Sequence, residues 1–173
     1  MNAAHLHLVV NHLPTMGMFL AIPLILLAMW RRHEVGVTYA ACLLLVVGGA
    51  GGVIAEETGE GAEEAVETSP TVSEVAIHEH EERAEIAVPI GVVTGLMALG
   101  VAAWTAKRGA ASAPALGVLL AANLASAAAM AAVAQVGGVI NHPEIRDDQL
   151  NAGFLTSARD VDAREKHEEA QKR

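Results

Sequence analysis

Four apolar stretches of roughly 20 residues dominate this chain, the length that a bilayer core demands of a helix. They lie at about 8–30, 36–55, 86–106 and 114–140. Residues 39–55, YAACLLLVVGGAGGVIA, carry no charge on any face. The alternative, a soluble four-helix bundle, needs a polar stripe along each helix, and this segment argues against it. The expected fold is therefore all-α: an up-down bundle of four transmembrane helices within 1–146, followed by a polar tail at 147–173. Composition agrees, with 53% hydrophobic residues and a mean hydropathy of +0.38 beside a formal net charge of −9. Aromatics are only 3%, so the apolar content is Ala, Val, Leu, Ile and Gly. The acidic balance and the lack of basic runs argue against nucleic acid as a partner. The single cysteine, Cys42, lies inside an apolar run, which excludes an internal disulfide and leaves thiolate chemistry without support.

Charge gives the stretches a direction. Arg31, Arg32 and His33 separate the first two, and Lys107 and Arg108 separate the last two. The segment 56–85 holds eleven Glu against one Arg. The positive-inside rule puts the two short basic loops in the cytoplasm. The N-terminus, the acidic segment and the C-terminus then lie on the outer, periplasmic side of a bacterial cytoplasmic (inner) membrane. The first stretch lacks a basic region before it and has Arg31-Arg32 after it, so it reads as a retained anchor rather than a cleaved signal.

Taken in order, the first stretch contains Pro14 and Pro23 and keeps its polar residues in its outer half. Helical spacing aligns His5, His12, Met16 and Phe19 on one stripe and His7, Asn11, Thr15 and Met18 on the next. Imidazole and amide groups are costly against lipid, so this arc is expected to face protein, with His5 and His7 at the interface bonding to headgroups or backbone. Gly48 and Gly52 form a small-xxx-small pair for close helix packing. If the helix continues into EETGEGAEE, Glu56, Glu60, Glu63 and Glu67 share a face, with Glu60 best placed to serve a site near the bilayer. Ser69-Pro70 breaks the helix, and Thr71 or Ser73 can cap the next. From there the stripe Ser73, Ala76, Ile77, His80, Ala84, Ala87, Gly91 points His80 inward, while His78 falls among Glu74, Glu81, Glu82 and Glu85 and faces water. Asn123 and Ser126, mid-membrane, are expected to bond a neighbouring helix.

His12, His80 and His142 therefore stand at the outer ends of three spans, within roughly two helical turns of one level. Inward-facing imidazoles on separate helices are what a b-type haem requires for its axial bonds. In that reading His12 and His80 are the ligands, His142 is close by, and Arg83 and Arg146 neutralise the propionates. The same His12, His80 and His142, with Glu60 as a fourth donor, suit a Cu or Zn ion. The remaining alternative binds no cofactor: an accessory subunit of a larger membrane complex whose histidines form a structural network. No nucleophile–base pair, phosphate loop or ExxH pair appears, so enzyme activity has no positive support. The partners implied are the lipid bilayer and a periplasmic electron-transfer protein, a larger complex or further copies of the chain.

The segments LHLVVNHLP (6–14), TGEGAEE (58–64), SEVAIHEHEE (73–82) and VGGVINHPEIR (136–146) resemble a family of bacterial four-helix integral membrane proteins of unassigned function. In that pattern histidines recur at the positions of His7, His12, His80 and His142, and His78 is a departure. Relatives of this kind are sometimes joined to iron–sulfur or cytochrome modules, so the resemblance implies four spans and redox surroundings. It leaves the tail outside.

Overall fold

A computed structural model of the chain describes residues 2–66, 69, 72–142 and 145. It is all-α, with α1 Ala3–Val10, α2 His12–Trp30, α3 Val35–Glu64, α4 Glu74–Arg108 and α5 Ala113–Val139. The first span is α1 and α2 together. Pro14 has no N–H to donate to the carbonyl of Val10, and α1 ends at Val10 for that reason. All four spans form helices long and apolar enough to cross a membrane, and the protein is a multi-pass membrane protein. The helices outrun the apolar stretches at the acidic end. α3 continues through its glutamates to Glu64, and α4 begins at Glu74, where the Ser73 side chain accepts the Ala76 N–H. At the basic end, Gly109 closes α4 in the left-handed conformation that a side chain would disfavour (φ 69°).

The spans follow one another around the bundle. α2 packs on α3 and α5, and α4 packs on α3 and α5, so α2 and α4 stand diagonally. What holds these faces together is small size. A Cβ on Gly17 would fall 2.8 Å from the Leu44 carbonyl oxygen, and one on Gly49 would fall 3.0 Å from that of Gly91. Backbone therefore meets backbone along α2–α3 and along α3–α4, an approach that maximises dispersion contact where no hydrophobic effect acts between helices.

The packing is inverted relative to a soluble bundle. Thr38, Thr94, Thr105, Asn123 and Ser126 are buried, while Leu8, Leu43, Ile86, Leu96 and Val118 face outward. Both tryptophans, Trp30 and Trp104, lie at the basic end with Arg31 and Arg108 stacked over their rings, as at a membrane–water boundary. Asn123 and Ser126 do bond neighbouring helices: Asn123 Nδ2 donates to the Met18 carbonyl (3.1 Å), and Ser126 Oγ lies 2.7 Å from Thr94 Oγ1. Asn123 Oδ1 is buried with no partner, so the side chain gains one bond and loses hydration at another atom. Asn123→Leu is expected to stay within about 1 kcal/mol of wild type in an unfolding titration, since such interhelical bonds contribute little net. Asn123→Ala leaves a void and should cost about 2 kcal/mol more than the leucine variant.

A candidate imidazole site at the acidic end

At the acidic end of the bundle, α1, the last turns of α3, the first turns of α4 and the last turns of α5 come together. His80 reaches from α4 to α5, where its Nδ1 donates to the Val133 carbonyl at 3.0 Å. The ring rests on Gly137: a Cβ there would lie 2.9 Å from His80 Cε1 and 3.0 Å from Nδ1. Only glycine leaves room for the imidazole in this position. Further bonds tie the same pair of helices. The Ser73 N–H donates to the Ile140 carbonyl (3.0 Å), and Arg83 donates to the Ala132 carbonyl (3.1 Å) and to Glu79 one turn back.

His7 makes a matching connection between α1 and α3. Its Nδ1 donates to the Ala55 carbonyl at 2.9 Å, with Thr58 Oγ1 at 3.4 Å. The hydroxyl of Thr58 is already donated to the Ile54 carbonyl (2.7 Å), so it can only accept from the ring. Gly61 lets α1 lie flush on α3, since a Cβ there would be 2.6 Å from the Ala3 side chain. His7 and His80 are both half-buried at the acidic end. A carbonyl oxygen only accepts, so both Nδ1 atoms carry their protons. Each neutral ring then has its lone pair on Nε2, the tautomer that a carbonyl partner selects in metal-ligating histidines.

The expected cluster of His12, His80 and His142 is only partly realised. His80 turns inward as its stripe predicts. His12 is exposed, its Nδ1 bonded to the adjacent Asn11 Oδ1. Its stripe is the outward one, with Met16 53% and Phe19 46% exposed. The inward face of the first span runs instead through Val10, Pro14, Gly17, Ala21, Ile25 and Ala28, and one turn before Val10 this seam carries His7. His7 bonds to backbone, as expected of it, and the carbonyl it meets belongs to the neighbouring α3. The signal that identifies it is the row of small residues at helical spacing, a better guide to the packed face than the polar ones. His5 is exposed as expected, with its backbone N–H capped by Asn2.

His142 is exposed just past α5, where its N–H meets the Val139 carbonyl at 3.4 Å. Glu60 is exposed on α3. Among the described residues no three His, Cys, Asp or Glu side chains gather as a metal ion would need, so His12, His80, His142 and Glu60 do not form a set. Arg83 is on α4 beside His80, with two of its N–H groups engaged as above; Arg146 lies outside the described residues. His78 points to water and pairs with Glu82 at 3.3 Å, as its stripe implies.

Comparison with protein-family models, with curated proteins and with solved structures finds no match for this chain.

Proposed function

We propose that this protein carries a b-type haem near the outer face of a bacterial cytoplasmic membrane and passes electrons to or from a periplasmic partner or a quinone. His7 and His80 would hold the haem iron, in place of His12 with His80. One observation carries the reading: two half-buried imidazoles on different spans, at the same end of the bundle, each hold Nδ1 on a neighbouring helix's carbonyl and keep Nε2 for a ligand bond. Haem supplies one-electron iron chemistry and four equatorial nitrogens of its own, so it asks the protein for two imidazoles only. A Cu or Zn ion would need further protein donors, and among the described residues no His, Cys, Asp or Glu makes a third with them. That contrast favours haem over the bare ion. Arg83, with N–H groups to spare beside His80, is the residue for a propionate.

The basic loops at the opposite end support the outward placement of the site. The accessory-subunit reading has its own support, because Ala121, Ala125 and Ala128 lie exposed along one face of α5. A single preparation separates the two. Protein purified in mild detergent, from cells supplied with haem precursor, should give a b-type reduced-minus-oxidised visible spectrum. A colourless preparation with intact helicity would overturn the haem and leave the accessory role.

A further inference from the structure

We propose that the basic end of the bundle holds an anionic phospholipid in a groove between α4 and α5. The groove measures about 430 Å³ and opens to the outside of the bundle. Met97, Gly100 and Trp104 of α4 and Ala115 and Val118 of α5 give it apolar walls, with Ser112 at its basic end. Gly100 makes the width, because a Cβ there would meet nothing within 4 Å. The guanidinium of Arg108 lies 5.0 Å above the ring of Trp104, which puts a cation at the mouth of the groove. Lys107 is exposed beside it. Ser112 precedes α5 without capping it, so its hydroxyl and the N–H groups of Ala113 and Ala115, at the start of a 27-residue helix, are available to a phosphate.

The charge at this end is one-sided. The Ala111 N–H donates to the Arg32 carbonyl (3.1 Å), joining the two basic loops. There Arg31 is matched by Glu34, while among the described residues Arg32, Lys107 and Arg108 have no acid of their own. No Asp or Glu occurs between Ile86 and His142. An acyl chain fits the walls and a phosphate fits the rim, and in an anionic phospholipid these two parts are joined at the spacing of a membrane surface. Basic clefts between transmembrane helices recognise anionic headgroups by this combination.

The test uses the full-length protein in detergent, supplied with phosphatidylglycerol or phosphatidylcholine and examined by native mass spectrometry. Wild type should retain phosphatidylglycerol and release phosphatidylcholine. Gly100→Leu, which fills the groove without a clash, and the surface variant Lys107→Gln/Arg108→Gln should each lower retention by about tenfold or more. Equal retention of both lipids by wild type would overturn the proposal, as would undiminished phosphatidylglycerol on either variant. Displacement of the lipid by inorganic phosphate alone would show a soluble-anion site instead. A change of oligomeric state in Gly100→Leu with unchanged lipid would show the groove to be a contact between copies.

Discussion

Gly17→Val should lower the stability of the bundle by about 3 kcal/mol or more, the upper range for overpacking a tight interface. The new Cβ would lie 2.8 Å from the Leu44 carbonyl oxygen and 3.1 Å from the Cα of Gly48. Both obstacles are backbone, so no rotamer change relieves them, and α2 must move away from α3. That shift also disturbs Met18, which is fully buried and whose carbonyl accepts the Asn123 amide. Gly117→Ala is the control. A Cβ there meets nothing within 4 Å, and helix propensity alone should make it neutral or stabilising by up to about 1 kcal/mol. The comparison is read from unfolding midpoints in detergent. Similar midpoints for both variants would show that close backbone approach does not hold these helices.

The second large effect concerns the proposed haem. His7→Ala should abolish the reduced-minus-oxidised signal, as should His80→Ala, while His12→Ala should leave it unchanged. The reason is geometric: His7 and His80 reach across helix pairs, whereas the His12 side chain is exposed and bonded to its neighbour Asn11. Gly137→Ala is a subtler probe, since its methyl would press on the His80 ring at 2.9 Å without removing the ligand. It should retain haem with an altered spectrum. Loss of the signal in His12→Ala with its survival in His7→Ala would reverse the assignment. Circular dichroism on each variant separates loss of a ligand from loss of the fold.

The spans were legible because hydropathy has a length scale and the bilayer has the same one. The inward turn of His80 was legible too, since Ala76, Ala87 and Gly91 beside it on its stripe are small and the opposite stripe is glutamate. The face of the first span was not. Its polar residues spread over a broad arc, and weighting them by their cost in lipid favoured His12. At the level of the headgroups that cost fades, because an exposed imidazole there reaches water. What decided the rotation was lower down, where Pro14, Gly17 and Ala21 fit against α3 and α5 and bulky Met16 and Phe19 do not. The partner of each Nδ1 was also beyond reach, because Ala55 and Val133 contribute carbonyls, and backbone atoms leave no mark in a side-chain pattern.

The unequal reach of the helices has a bearing on how a partner would meet this protein. At 1.5 Å per residue, the 35 residues of α4 rise about 52 Å, against a hydrocarbon thickness of about 30 Å. Most of the surplus stands at the acidic end, because Trp104 holds the other end near its boundary. His80 precedes the apolar stretch of its own helix by six residues, and its ring bonds to Val133 within the apolar stretch of α5, so the site lies at the margin of the oily layer beside the acidic ends of α3 and α4. The bundle is in effect a jetty, fixed in the bilayer and projecting a short, negatively charged landing stage into water. A basic soluble protein could tie up there without touching lipid, at a rate that falls as salt rises.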